Sequence, residues 1–521
     1  MTAPDSSLTL KRRTLSLLGG VGALGFVGLQ GLPVLARAQS ASESAPLSLA
    51  DLRWLNRVSG GVTEDSVADL ARLGRSAWLA AQLAPPKDDA DTVSDEASIA
   101  DWMQRRQEAR AATRAAQPGD AEATARAAAL QKADRDEVRD RLVQARTTIF
   151  REAVLSPQVL REQMLWFWLN HFSVFAGKDD IGAMAGDYAR TLRPLALGSF
   201  RDLLRATVLH PAMQAYLDNT SNRAGKINEN YARELMELHT LGLNQGYTQQ
   251  DVQEMARVLT GLELAPGGQG PQLKGKLATQ RGAEVFVTNA LAYNPARHDY
   301  GSKTLLGITL PGEGWPEFET IITRLASSPA TATHLSRQLY SYFVADDAAR
   351  APKALIERLS RTYLESQGDI ASVLRVLLTA PELDAALGQR LRSPWQYSVA
   401  LVRTLAQTLP VDRRSAWVDE AWRVPAELNE ELFGHRTPEG YPLDSREWLT
   451  PVQMAMRVRI AQRLAARAAA IAKAAGAVPT PLAQLAVSPL LSPATRATLA
   501  AQDKPVTATA LLLSSPEFMR Q

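Results

Sequence analysis

The sequence is punctuated by serine or threonine followed at once by proline, and these pairs constrain its fold more than any other feature. Ser156-Pro157, Ser328-Pro329, Ser393-Pro394, Thr450-Pro451, Ser488-Pro489 and Ser515-Pro516 each precede a run with apolar residues at helical spacing. A serine or threonine hydroxyl satisfies free amides at a helix start, and proline in the first turn has no amide to lose. The pairs predict many helices joined by short connections. The stretches between them are dense in Ala, Leu, Arg, Glu and Gln, strong helix formers, and strand signals are sparse. The expected fold class is therefore all-α, a single multi-helix domain over residues 39–521 with at most one short β-hairpin.

Residues 47–84 read as two helices around Ser59-Gly60-Gly61. Residues 85–140 are charged, alanine-rich and poor in large apolar side chains. That is the pattern of a solvated, flexible insertion with one long exposed helix from about Asp120. Residues 265–310 are rich in glycine, and Glu284-Val285-Phe286-Val287 is their best strand candidate. Helical period returns over 316–380 and again over 383–521, where the loop Gly434 to Pro442 interrupts it.

Residues 1–38 read as an address rather than as structure. Lys11-Arg12-Arg13 is followed by an apolar stretch from Leu15 to about Leu35 and by the small-residue cleavage pattern Ala36-Arg37-Ala38. The paired arginines with Thr14 and Leu15 resemble a twin-arginine signal. Six glycines, Gln30 and Pro33 argue against an uncleaved membrane anchor. The expected location is periplasmic or secreted, with membrane contact only through the signal segment. Lys11, Arg12, Arg13 and Arg37 against Asp5 account for the whole formal charge of +3. The neutral remainder gives no reason to expect a nucleic acid partner, which would call for a basic patch. The chain has no cysteine, which excludes disulfides, iron–sulfur clusters, thiolate metal sites and a cysteine nucleophile.

Polar chemistry concentrates in four places. Trp166-Phe167-Trp168-Leu169-Asn170-His171-Phe172 sets an Asn-His pair in an aromatic run. The plain reading is a satisfied core pair, and the sharper one makes His171 a ligand or proton carrier. Asp218-Asn219-Thr220-Ser221-Asn222-Arg223 is a polar loop whose Asn and Asp favour turns. The run from Asn228 to Leu241 reads as a helix ended by Gly242, with Glu229, Arg233 and Glu237 on one face and Glu234 beside it. Glu237 and His239 lie about 200° apart on a regular helix and cannot chelate one metal from it. The plain reading of this face is a solvated ion-pair ladder. Arg297-His298-Asp299-Tyr300-Gly301-Ser302-Lys303 sits in a loop, a common place for binding groups. Glu229, Arg233, Glu234 and Glu237 are thus the candidate catalytic groups. His171, His239, His298 and Asp299 are the candidate metal ligands, for a divalent ion suited to imidazole and carboxylate. Phosphate loops, dinucleotide fingerprints, nucleophile elbows and EF-hand loops are missing.

Taken in order, these segments resemble one bacterial family of unknown function, DUF1800. The similar segments are Leu55-Asn56-Arg57 to Gln82-Leu83, Trp166 to Phe172, Tyr188 to Arg193, Leu197 to Leu204, His210 to Arg223 and Asn228 to Leu235. His298-Asp299 with Lys303 and Leu306-Gly307, and Pro438-Glu439-Gly440-Tyr441-Pro442, complete the pattern. The resemblance implies an exported helical protein and no particular reaction. It also suggests a partner, since genes of this family often neighbour those of exported proteins resembling the alkaline-phosphatase and sulfatase superfamily.

Three function classes follow. The first is a metal-assisted or acid/base hydrolytic enzyme with a polar site between helices. The second is a non-catalytic binding or maturation partner of the neighbouring exported protein, which predicts an exposed apolar patch. The third is cell-surface glycan binding through tryptophans on an exposed face.

Overall fold

A computed structural model describes residues 47–85, 99–115, 120–477 and 480–521. The expected signal segment at 1–38 lies outside them. The described residues are mostly α-helical, and residues Ala45–Gln521 form one compact unit. None of their helices is long and apolar enough to cross a membrane.

The proline pairs do much of the punctuation assigned to them. Ser328, Ser393, Thr450 and Ser515 each accept a backbone N–H as N-caps of the helices Pro329–Phe343, Pro394–Gln407, Pro451–Ala474 and Pro516–Met519. Two pairs behave differently. Ser156 stands two residues ahead of the cap of Val159–His171, and Ser488 opens only a 3₁₀ turn. Ser492-Pro493 starts a further helix, Pro493–Ala500. The two expected N-terminal helices are Leu49–Val58 and Glu64–Leu83.

The strand content exceeds the single hairpin expected. Leu262–Leu264, Leu291–Tyr293 and Phe286–Thr288 form a three-stranded antiparallel sheet with Leu291–Tyr293 in the middle, and Lys303–Leu305 pairs with Ile308–Leu310. Both hairpins turn on two residues of positive φ, Asn289-Ala290 and Leu306-Gly307, as tight two-residue turns demand. Strands of three residues are too short to display alternation, so only the turns could have announced them.

The charged stretch is less solvated than its composition implies. Asp120 caps a long helix, Ala121–Leu155, and a second helix, Ile99–Ala115, buries Ile99, Trp102 and Met103. Arg105 pairs with Glu137 at 2.7 Å across the two. One apolar edge suffices to seat an otherwise charged helix.

The aromatic helix Val159–His171 runs through the core. From Leu160 onward all its residues except Gln163 are buried. Trp166 stacks between Tyr342 and Trp395 with ring centroids 5.6 and 6.4 Å away, and the Trp168 indole donates to the Ala196 carbonyl at 2.8 Å. None of the ten tryptophans is exposed. Glycan binding through an exposed tryptophan face therefore finds no surface here.

Candidate active site

A cleft of about 390 Å³ opens where the aromatic helix ends. One side is Phe167, Asn170 and His171, with His334 and Gln338 from the helix Pro329–Phe343. The other is the loop carrying His435, Glu439 and Tyr441.

Its imidazoles are held by backbone carbonyls. His171 Nε2 donates to the His239 carbonyl at 3.1 Å, and His334 Nε2 donates to the Leu238 carbonyl at 3.2 Å. A carbonyl only accepts, so each Nε2 carries the ring proton and each Nδ1 the lone pair. These carbonyls lie just past the end of the helix Asn230–Glu237, where the helix offers them no partner. Two imidazoles from two other helices thus cap a third. On the opposite wall His435 Nδ1 donates to the Thr437 carbonyl at 3.0 Å, leaving Nε2 as its acceptor. Burial, then the nearby His334 and His239, hold His171 well below the usual imidazole range. Burial also lowers His334. Both rings are neutral at physiological pH. His239 lies 6.1 Å from His171 between ring centroids, so four of the six histidines gather at or just behind one cleft.

The loop is fixed in place by several bonds. The Asn170 side chain donates to the Tyr441 carbonyl at 2.9 Å and accepts from its N–H at 2.7 Å, as a neighbouring strand would. Gly440 has φ +71°, and a Cβ there would overlap the Asn170 carbonyl. Tyr216 OH donates to the Arg436 carbonyl at 2.9 Å. Burial, then Glu439 and Glu234, push Tyr216 up to about 12. Glu234 itself is half-buried and raised above the usual carboxylate range, by burial first and then by Glu237 and Glu439.

A family model described as "Protein of unknown function (DUF1800)" matches residues 53–520, nearly the whole chain and every residue of this cleft. The chain belongs to the DUF1800 family. Neither a curated protein nor a solved structure matches it.

Elsewhere in this DUF1800 chain the polar clusters serve the fold. Asn219 and Asn222 are buried in a ladder. The Asn219 amide donates to Gln214 Oε1 at 2.6 Å, and the Asn222 amide to Asn219 Oδ1 at 3.0 Å and to the Ala256 carbonyl at 2.8 Å. The ladder sets the polar loop ahead of the helix that carries Glu234. Glu229 and Arg233 share a surface network with Gln249, the plain reading of that face. Glu237 accepts from Tyr247 OH at 3.3 Å. The helix stops at Glu237, earlier than expected. Thr240 Oγ1 takes the Leu235 carbonyl at 2.7 Å, and His239 turns into the core.

The four metal-ligand candidates do not gather in one site. His171 lines the cleft, and His239 is buried beside it, its ring 6.1 Å from that of His171. His298 Nδ1 donates to the Thr260 carbonyl at 2.9 Å and packs on Tyr293 and Tyr300. Asp299 forms a two-pronged pair with Arg257, both bonds at 3.0 Å. Beside them Lys303 and Glu317 form a buried ion pair at 2.7 Å. Among the described residues no group of three or more His, Asp or Glu is arranged to hold a metal ion. The expected convergence fails because 298–303 joins a strand pair and its supporting helix, which engage most of its polar groups locally, although His298 Nε2 is buried without a hydrogen-bond partner.

Sequence reasoning gave no role to His435 and Glu439 and little to His334. The signal that was present is the loop Gly434 to Pro442, a helix-free run carrying a histidine, a glutamate and two glycines in an otherwise helical half.

Proposed function

We propose that this DUF1800 protein is an exported hydrolytic enzyme that works by acid/base chemistry in the histidine-rich cleft. The observation that carries this reading is a cleft lined by His171, His334, His435 and Glu439, with half-buried Glu234 near enough for its charge and that of Glu439 to act on one another. Glu234, outside the lining itself but kept protonated longer than an ordinary carboxylate, supplies the proton, and exposed Glu439 in the lining is the base that activates water. The twin-arginine-like segment supports export, and an exported alkaline-phosphatase-like protein stays the proposed partner. The partner-only reading predicts a broad apolar patch. The most exposed large apolar residues, Val411, Val452, Leu243 and Leu449, come from three separate stretches instead.

The test is turnover by protein purified after native export, against esters, peptides, glycosides and phosphoesters. At least one class is hydrolysed, and Glu234→Gln and Glu439→Gln each lower kcat by ~100-fold or more with unchanged melting. Full activity in both variants would remove this assignment.

A further inference from the structure

We propose that the cleft takes a neutral, hydroxyl-rich ligand, a glycan segment, and recognises it with imidazole lone pairs. This rests on the hydrolytic reading of the same cleft and names its substrate class. The reasoning is a count of donors and acceptors. The N–H of His171, His334 and His435, the amide of Asn170 and the hydroxyl of Tyr441 all donate to backbone carbonyls. What they leave as acceptors are Nδ1 of His171, Nε2 of His435 and the Glu439 carboxylate, while Nδ1 of His334 lies against Gly242. Gln338 adds an amide that both gives and accepts. Among the described residues no lysine or arginine lines the cleft. A wall of lone pairs repels phosphate, sulfate and carboxylate groups and pairs with O–H donors. An ammonium ligand would be held chiefly by charge, and among the described residues Glu439 is the one charged residue in the lining. Imidazole, amide and carboxylate acceptors contributed by separate elements suit several hydroxyls on one molecule instead. Phe167, Leu238 and Leu443 supply apolar surface for sugar C–H faces. The volume, about 390 Å³, lies in the range of small-ligand clefts.

The experiment is calorimetric titration of the full chain with neutral β-linked glucose and N-acetylglucosamine oligomers, their sulfated counterparts, a diamine, inorganic phosphate and Zn²⁺. Wild type, His334→Ala, His435→Ala and, as control, His298→Ala are compared, each with a thermal melt. A neutral oligomer binds, at least tenfold more weakly in His435→Ala and unchanged in His298→Ala, while the sulfated oligomer and phosphate do not bind. His435 sits on a surface loop, so its removal is informative even if His334→Ala fails to fold. Binding of the anions, the diamine or Zn²⁺ in place of the neutral oligomers, or of no oligomer at all, overturns the proposal. Glu234-dependent hydrolysis of a non-glycan substrate without oligomer binding would overturn it while leaving the hydrolytic reading standing. Oligomer binding without turnover would do the reverse.

Discussion

His239 is fully buried, and neither of its ring nitrogens meets a hydrogen-bond partner among the described residues. Burial, then His334, pushes it down to about 3. His171 and His334 are lowered for related reasons. In the unfolded chain each of the three protonates near 6.5. Between there and its lower folded value the unfolded state binds the extra proton, so stability is full above about pH 6.5 and falls as the solution is acidified. Each such group contributes a slope of about 1.4 kcal/mol per pH unit in that window. Urea midpoints measured from pH 7 to pH 5 should fall steeply in the wild type, and His239→Phe should remove roughly one group's share of the slope. An unchanged slope would mean that His239 protonates in the folded protein. Such behaviour was only half legible in the sequence. Aromatic neighbours announced that His171 is buried, but the carbonyl that fixes its tautomer, that of His239, comes from 68 positions away.

At the scale of elements, the loop Gly434 to Pro442 is held to the aromatic helix by the Asn170 side chain. Asn170→Ala removes two hydrogen bonds and leaves Tyr441 backbone groups unpaired, a cost of about 1–3 kcal/mol. Hydrogen exchange at 434–443 should accelerate while the distant helix Pro505–Leu513 keeps its protection. Gly440→Ala should do more harm, because it adds backbone strain to a steric overlap. Uniform protection in both variants would show that the other ties suffice. Caps are the opposite case, written locally, and four of the six Ser/Thr-Pro pairs cap helices as expected. Ser393 forms a full capping box with Gln396, so Ser393→Ala should cost ~1 kcal/mol in denaturant unfolding. Helix starts are legible because cap and helix are neighbours in sequence. The two hairpins were harder to see, since each strand offers only three residues of pattern.

At the scale of the molecule, one buried arginine joins three distant parts of the chain. Arg392 Nη2 donates to Asn56 Oδ1 at 2.7 Å, its Nη1 donates to the Phe518 carbonyl, and its own N–H donates to the Met519 carbonyl at 2.8 Å. Arg457 donates in turn to the Arg392 carbonyl at 2.8 Å. Arg57 reaches the carbonyls of Tyr342 and Phe343, and Trp54 that of Leu378. Burial, then Arg403 and Arg457, lower Arg392 to about 9, which still leaves it charged at neutral pH. The N-terminal helix Leu49–Val58 and the last helix Pro516–Met519 are therefore fastened to the same side chain. None of these pairings has a sequence signature, because each joins groups more than sixty residues apart. Arg392→Met keeps the apolar stem but strands an amide oxygen and a carbonyl in the interior, at a cost of about 2–5 kcal/mol. If the two ends are one cooperative unit with the core, this loss appears as a lower midpoint of a single unfolding transition, followed by both near-ultraviolet circular dichroism and tryptophan fluorescence. A variant that keeps its main transition and frays only at the C-terminal helix, seen as early proteolysis there, would show that the closure is local.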